Sequence, residues 1–222
     1  TNKLQDAVNA ETMRKCGGKH KKKTVSAKTV RNEYGLVTAV INTYYPSLNC
    51  TVKLPQVKRK LKSLPEPEII VDAFHGTELE LPILLSMWLS FSMSELRGLT
   101  KSKSIKGDYI CIEEVVVKVG NKDVRKEEGK TYTRNRMHKM PKYIKDLIDQ
   151  IEGDVIVPFT YSQLYHRFQS ILEKNSIQHM SFHDLRHVNA SVMAMLRIPD
   201  KYAQERGGWK TDHVMKSVYT HT

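Results

Sequence analysis

A run of prolines and basic residues at 55–67 divides this chain of 222 residues. Proline lacks the backbone N–H that helices and central strands need, and a segment that alternates proline with charge has no apolar face to bury. Such a segment is typical of an extended linker between domains. We therefore predict one domain at residues 1–54, a linker at 55–67 and a second domain at 68–222.

The segment before the linker has the pattern of two helices joined by a basic loop. Apolar residues recur with loose helical spacing in residues 1–15, before Gly17 and Gly18. A second apolar stripe starts after Ser26 and ends near Tyr45, and five residues rich in lysine lie between the two stripes. Helical spacing bounded by glycine and proline predicts two helices, and hence a small helical domain.

Positive charge is concentrated in this N-terminal third. Residues 1–66 hold 14 Lys and Arg against four Asp and Glu, whereas residues 67–222 hold 22 against 20, within a net charge of +12. Concentrated positive charge attracts a polyanion such as DNA. We expect the domain to clamp DNA through phosphate contacts, and a solvated basic surface without a partner is the alternative. The expected DNA-binding residues are Lys19, Lys21, Lys22, Lys23, Lys28, Arg31, Lys58, Arg59 and Lys60.

The second domain combines helices with a few strands. Apolar residues at helical spacing predict helices, and runs of β-branched residues predict strands. The predicted helices are 68–74, 81–96, 142–151, 161–173, 181–196, 199–205 and 212–219, and the predicted strands are 109–119, 122–125 and 136–141. The helix at 81–96 is apolar enough to be buried. The expected fold class is mainly α with one small antiparallel β-sheet.

The stretch from Ser181 to Tyr219 concentrates side chains suited to phosphodiester chemistry. Ser181 is the predicted N-cap of a helix on which His183 and Arg186, three residues apart, share one face. Fixed guanidinium and indole N–H donors stabilise negative charge on phosphoryl oxygens, and an assisted phenol can act as a nucleophile. His183, Arg186, Trp209 and Tyr219 are therefore candidate catalytic residues, although a lone His-x-x-Arg is more often structural.

The order of these residues resembles the signature of the tyrosine recombinases, the phage and transposon integrases in particular. That signature is a His-x-x-Arg on a helix, then Gly-His or Gly-Trp, then a nucleophilic Tyr ten residues later, as in Gly208-Trp209 and Tyr219. The resemblance implies an α+β catalytic domain of the recombinase type. It also implies DNA cleavage and rejoining through a 3′-phosphotyrosyl bond to Tyr219, without a nucleotide or metal cofactor.

The resemblance extends to the first domain and to the expected partners. Residues 1–54 resemble the later part of the helical core-binding domain of the integrases. The implied partner is double-stranded DNA carrying attachment or recombination sites, bound by a dimer or tetramer. A directionality factor and a location in the bacterial cytoplasm are further expectations for an integrase of a prophage or mobile element.

A lysine near the small sheet also matches the family. Lys130, followed by Arg134 and Arg136, resembles the integrase pattern Lys-Thr-x-x-Ser-x-Arg, with Arg134 where the Ser is usual. The resemblance implies that Lys130 protonates the departing 5′ oxygen, which is the task of a general acid. Lys118 and Lys122 lie nearer the first predicted turn and are alternatives for this role.

The chain departs from the family at the first catalytic arginine. Residues 88–100 resemble the family segment Gly-Leu-Arg-x-Ser-Glu-Leu-x-Gly-Leu, but Ser92 stands where the Arg is usual. Arg97 follows five residues later, about 140° further round a continuous helix. It is therefore not a simple substitute, but it can serve if the helix ends early, as Gly98 permits. We expect either that Arg97 substitutes, which we prefer, or that the site lacks one guanidinium.

Other classes of protein fit the sequence less well. No apolar run reaches the length of a membrane span. Cys16, Cys50 and Cys111 are widely spaced and form no C-x-x-C pair, which argues against a disulfide framework or a structural zinc site and favours a reducing cytoplasm. Two functions remain as alternatives: a DNA-binding homologue that regulates recombination without cleaving DNA, and a relaxing enzyme similar to type IB topoisomerases.

Overall fold

The computed structural model describes residues 2–17, 23–57, 63–127 and 136–209. The chain forms two compact units, Thr1–Leu61 and Lys62–Thr222, which are described separately below. The division falls within the predicted linker. The assignment of the two units as core-binding and catalytic domains stays a prediction.

The first unit contains two helices, α1 (Asn2–Met13) and α2 (Ala27–Tyr44). Ser26 caps α2, because its side chain accepts a hydrogen bond from the Thr29 backbone N–H at 3.1 Å. The small core of this unit is Val8, Val25 and Val30, with Tyr34, Val52 and Leu54 packed against it. The predicted pair of helices is therefore present, with the basic segment between them.

The second unit is mainly helical and is built around a buried helix. Its helices are α3 (Pro67–Phe74), α4 (Glu80–Leu89), α5 (Met93–Gly98), α6 (Lys101–Ser104), α7 (Lys142–Asp149), α8 (Tyr161–Lys174), α9 (Asp184–Met195) and α10 (Asp200–Gly207). Nine of the ten residues of α4 are buried, and α3, α5, α7 and α9 pack around it. The apolar sequence of α4 requires this central position, since exposing it would leave several large side chains in water.

The predicted helix at 81–96 is two helices, so the expectation of one continuous helix was wrong. Ser90 adopts a left-handed conformation, with φ of 61°, and ends α4. Ser92 then caps α5 in a capping box with Glu95: the Ser92 hydroxyl accepts from the Glu95 N–H, and the Ser92 N–H donates to the Glu95 carboxylate at 2.7 Å. The break therefore precedes Ser92, which caps the same short helix that carries Arg97.

The strands form two small antiparallel sheets where one was predicted. β1 (Ile105–Lys106), β2 (Tyr109–Cys111) and β5 (Met137–Lys139) pair in the order β1-β2-β5, and β3 (Glu114–Val119) pairs with β4 (Lys122–Glu127) as a hairpin. The predicted strand 109–119 is interrupted because its two halves have different partners, β5 and β4. The mainly α fold with small antiparallel sheets is confirmed.

A close contact joins α5 to the hairpin. A Cβ atom at Gly98 would lie 2.0 Å from the Glu114 carbonyl oxygen, so only glycine lets the end of α5 approach β3 this closely. The Glu114 side chain is buried beside this contact and accepts hydrogen bonds from Lys103 at 2.5 Å and Arg125 at 2.9 Å. In the described ranges, no helix is both long and apolar enough to cross a membrane.

Candidate active site

An open cleft of about 400 Å³ lies in the second unit. Its walls come from the start of α5, from β3, from the start of α8 and from the chain that leads into α9. The lining residues are Ser92, Met93, Ser94, Arg97, Val116, Val117, Lys118, Tyr161, Tyr165, Ser181, Phe182, His183 and Arg186. The structure therefore brings three predicted catalytic residues, Arg97, His183 and Arg186, into one cleft together with Ser92.

The start of α9 positions His183 and Arg186. The Ser181 N–H and hydroxyl both donate to the Asp184 carboxylate, at 2.5 and 2.7 Å. The helix begins at Asp184, with His183 as the capping residue, so the prediction that Ser181 is the N-cap was wrong. The Asp184 side chain engages Ser181 and thereby turns the chain before the first helical residue. His183 and Arg186 lie within one turn, where the Arg186 N–H donates to the His183 carbonyl at 3.1 Å.

The Arg186 guanidinium is buried and held by three oxygen atoms. It donates to the Gly207 carbonyl at 2.7 Å, to the Ser90 carbonyl, and to Oε2 of Glu95 at 3.4 Å. Its carbon lies 5.8 Å from the centre of the Trp209 ring, within the range of a cation–π contact. Burial lowers the pKa of Arg186 to about 10, although Glu95 opposes the shift. Arg186 is therefore still a fixed cation at neutral pH.

Arg136, which was not among the predicted site residues, lies beside Arg186. Its guanidinium donates to the Gly207 carbonyl at 2.9 Å, to Oε2 of Glu95 at 2.9 Å and to the Ser90 carbonyl at 3.4 Å. We call Arg136, Arg186 and Glu95 the guanidinium cluster. The sequence did contain a signal for Arg136, since it occupies the last position of the Lys-Thr-x-x-Ser-x-Arg pattern. That pattern had been used only to identify Lys130 as a candidate.

The Gly207-Gly208 pair allows Trp209 and the guanidinium cluster to pack together. A Cβ at Gly207 would lie 2.1 Å from the Trp209 ring, and one at Gly208 would lie 1.7 Å from Nη1 of Arg136. Gly208 also has a φ of 62°, a conformation that side chains with a Cβ rarely adopt. Both glycines are therefore required by contacts made at the end of α10.

The comparison with known families decides the relationship of the chain. Residues 93–222 match the model of the phage integrase family. The chain belongs to the phage integrase family. The predicted relationship to the tyrosine recombinases is thereby confirmed. No curated protein matches the chain in sequence.

Solved structures share the fold of this integrase-family chain. One is the Tn1549 transposon integrase in complex with a circular intermediate DNA, with a TM-score of 0.77, 16% identity, and coverage of 100% of this chain and 81% of that chain. Another is a lambda integrase dimer bound to a COC′ core site, with a TM-score of 0.62, 16% identity, and coverage of 88% and 74%. A third is the XerH recombinase bound to a palindromic difH substrate, with a TM-score of 0.57, 16% identity, and coverage of 89% and 64%. At these identities the likeness shows the fold.

His183 of this family member faces the cleft with a perturbed imidazole. The ring is packed edge-on against His187, with 5.0 Å between the ring centres. Partial burial, His187 and the Arg186 charge together hold the pKa of His183 below its usual value. The imidazole is therefore neutral near pH 7 and able to accept a proton.

Arg97 lies in the cleft wall but is committed to other partners. Its Nε donates to the Phe159 carbonyl at 3.2 Å, and its Nη2 forms an ion pair with the Asp123 carboxylate of β4. The predicted substitution of Arg97 for the family arginine at Ser92 is not tested by these contacts. They show that the Arg97 charge is balanced by a carboxylate where it stands.

The structure leaves other predicted residues undescribed. Tyr219, Lys130 and the predicted helix at 212–219 lie outside the described residues. Of the alternatives to Lys130, Lys118 is in the cleft wall and Lys122 lies exposed at the start of β4. Among the described ranges, no group of three or more His, Cys, Asp or Glu is placed to hold a metal ion.

Three of the predicted DNA-binding residues are described, and all three are exposed. Lys23 precedes the capping Ser26, and Lys28 and Arg31 lie on the first turns of α2. Arg31 also donates to the Pro55 carbonyl at 3.0 Å. The remaining six fall outside the described residues: Lys19, Lys21, Lys22, Lys58, Arg59 and Lys60.

Proposed function

We propose that this chain is a site-specific DNA recombinase, an integrase of a prophage or mobile element, that cleaves and rejoins DNA through a 3′-phosphotyrosyl intermediate. The observation that carries the proposal is the cleft in which His183 and a fixed, buried Arg186 stand together, with Trp209 packed behind the arginine. Membership of the phage integrase family supports the same chemistry.

Each side chain has a distinct task in the proposed reaction. The phenolic oxygen of Tyr219 attacks the phosphorus, forms a bond to the 3′ phosphate and loses its proton, and the bond to the 5′ oxygen breaks. Lys130 supplies the proton that the leaving 5′ oxygen takes up. Neutral His183 accepts the proton that Tyr219 loses and returns it to Tyr219 in the reverse step, and Arg186 stabilises the charge on the phosphoryl oxygens. Trp209 holds Arg186 and offers its indole N–H.

The covalent bond removes the need for an external source of energy. The phosphotyrosyl linkage retains the free energy of the broken phosphodiester, so a 5′ hydroxyl on a partner strand can attack it and reverse the reaction. No nucleotide cofactor enters this cycle. Arg97 is the sequence-based candidate for a second guanidinium, since it lines the cleft with Ser92 at the family position.

The proposed partner is double-stranded DNA with attachment or recombination sites. The similar Tn1549, lambda and XerH structures each contain DNA, and the first unit of this chain carries most of the net positive charge. We propose residues 1–54 as the core-binding domain, 55–67 as the linker and 68–222 as the catalytic domain. A dimer or tetramer on DNA, a directionality factor and a bacterial cytoplasmic location complete the proposal.

One observation favours a second function, that of a DNA-binding homologue that regulates recombination without cleaving DNA. Ser92 stands at the position of the first catalytic arginine of the family, and the nearby Arg97 is paired with Asp123. Losing one preorganised donor costs a factor of about 10² to 10³ in rate. A slow or inactive site is the consequence if no other cation compensates.

Covalent trapping tests the proposal. Sites bound by the full chain are selected from random duplexes, and a nicked version of such a site is incubated with protein so that the cleaved strand diffuses away. A protein–DNA band that survives denaturation is expected from the native chain. Tyr219→Phe keeps the ring but lacks the nucleophilic oxygen, so it should bind DNA with nearly unchanged affinity and form no such band.

The outcomes separate the two functions. Undiminished trapping by Tyr219→Phe would refute the assignment of the nucleophile. Tight, site-specific binding by the native chain without any covalent band would instead support the regulatory homologue.

A further inference from the structure

The guanidinium cluster places a second arginine close to Ser92, the position at which the family has its first catalytic arginine. Arg136 is 7% exposed and donates to the same three oxygens as Arg186: Oε2 of Glu95, the Ser90 carbonyl and the Gly207 carbonyl. The Ser92 N–H donates to that same Oε2 of Glu95 at 2.7 Å. Arg136, Arg186 and the backbone N–H of Ser92 therefore all donate to one oxygen atom, Oε2 of Glu95.

The cluster holds more positive than negative charge. Two guanidinium groups share one carboxylate in a buried environment, and the other two acceptors are neutral carbonyls. The Nε atoms of Arg136 and Arg186 are buried and have no hydrogen-bond partner within the described ranges. Buried cations are costly unless they are balanced, so this arrangement favours the arrival of an anion.

The rival candidate lacks this excess of positive charge. Arg97 is matched by one carboxylate, Asp123, and its Nε is satisfied by the Phe159 carbonyl. Moving Arg97 toward a phosphate would break both contacts. Arg136 can act on the phosphate without moving, because a fixed charge in a region that excludes water acts over a longer distance than one in solvent.

We infer that Arg136 is a positioning residue that holds Arg186 through their shared oxygens and supplies, from behind it, the second positive charge of the phosphate site. It takes the role that the family gives to an arginine at the position of Ser92. This inference rests on the proposed function, since it concerns the same cleaved phosphate.

The test compares an ordinary scissile phosphodiester with a methylphosphonate, in which a methyl group replaces one charged oxygen. A charge that stabilises the phosphate matters less when the substrate has lost its own charge. Arg136→Gln in the full chain should slow single-turnover cleavage of the ordinary linkage by about 10² to 10³, and should slow cleavage of the neutral linkage by a factor at least ten times smaller. A purely structural role would slow both equally.

Arg125→Gln is the matched control. Arg125 makes the same kind of contacts outside the cleft, donating to Glu114 and to the Gly98 carbonyl, each at 2.9 Å. Loss of that guanidinium should change the cleavage of both linkages by the same factor. A selective loss on the charged linkage in Arg97→Gln, with none in Arg136→Gln, would overturn the inference in favour of Arg97.

A second variant covers the case in which Arg136→Gln does not fold. Ser92→Arg restores the family residue at a half-buried position that lines the cleft. If Arg136 already supplies the second charge, Ser92→Arg should accelerate cleavage of the ordinary linkage by less than tenfold. Acceleration by about 10² or more would mean that the native site lacks a guanidinium, and the inference would be wrong. If Arg136→Gln folds, the double variant Arg136→Gln with Ser92→Arg should cleave the ordinary linkage at least ten times faster than Arg136→Gln alone.

The failure of this inference differs from the failure of the proposed function. No covalent band from the native chain would refute the recombinase activity and the role of Arg136 together. A covalent band from the native chain, with equal losses on the two linkages in Arg136→Gln, would refute the role of Arg136 alone.

Discussion

Substitution of Gly208 by alanine tests whether the guanidinium cluster holds the end of α10 in place. Gly208 has a φ of 62°, and an added Cβ would lie 1.7 Å from Nη1 of Arg136. Gly107 provides the matched control, because its φ is 63° and an added Cβ would meet nothing within 4 Å. The two variants share the backbone strain and differ in the clash.

The magnitude follows from these two contributions. A residue with a Cβ in the left-handed region lowers the free energy of unfolding by about 1–2 kcal/mol, and this loss is common to both variants. In Gly208→Ala the methyl group must also displace the Arg136 guanidinium, which donates to Gly207 and Glu95 at 2.9 Å. Breaking a buried ion pair costs about 3–5 kcal/mol, reduced here because Arg186 still contacts Glu95. We expect Gly208→Ala to lose about 3 kcal/mol more than Gly107→Ala.

Urea denaturation followed by tryptophan fluorescence measures the difference. Both tryptophans of the chain, Trp88 and Trp209, lie in the second unit. Gly208→Ala should also slow covalent trapping, because Arg186 loses its neighbour, whereas Gly107→Ala should not. Equal losses of unfolding free energy in the two variants would show that Arg136 moves aside at no cost and that the guanidinium cluster does not hold the end of α10 in place.

Three further predictions concern the general acid, the DNA contacts and a buried histidine. Lys130→Ala should cleave an ordinary linkage poorly and be rescued by a 5′-bridging phosphorothioate, whose thiolate leaves without a proton; rescue of Lys118→Ala instead would move the role. Lys28→Ala with Arg31→Ala should flatten the slope of log K against log salt by about 0.9 per lost phosphate contact, and an unchanged slope would remove α2 from the DNA interface. Burial lowers the pKa of His138 from 6.5 to about 3, so the unfolded chain binds more protons in that window and the native chain loses stability as the pH falls. The free energy of unfolding should drop by about 2 kcal/mol between pH 7 and pH 5, relative to His138→Phe in the same urea titrations.

The features that follow from local sequence were predictable. The apolar run of α4 required burial, and Ser26 identified the start of α2, because both depend on residues within a few positions. His183 and Arg186 were expected to be neighbours from their spacing alone, and they line one cleft. Short-range spacing translates directly into geometry when the intervening chain is a single helical turn.

The errors arose where two local signals competed. The apolar pattern continued through residues 81–96, but Ser92 and Glu95 also form the Ser-x-x-Glu pattern of a capping box. That pattern begins a second helix, after left-handed Ser90 has ended the first. Ser181 looked like the N-cap of α9, yet Asp184 takes both of its donors and starts the helix itself. In each case a polar side chain forms hydrogen bonds with backbone groups at a helix end, and the spacing of apolar residues carries no information about such bonds.

The guanidinium cluster could not be predicted from spacing, because its members are far apart in the chain. Glu95 and Arg136 are separated by 41 positions, and Glu95 and Arg186 by 91. Because Ser92 stands where the family has an arginine, Arg97 was predicted to substitute, as it is the nearest cation along the chain. In the fold Arg97 is neutralised by Asp123, while Arg136 reaches the carboxylate that also binds the Ser92 N–H. A missing charge is best compensated by a cation that shares an acceptor with the remaining one, since a shared acceptor places both charges near the same phosphate.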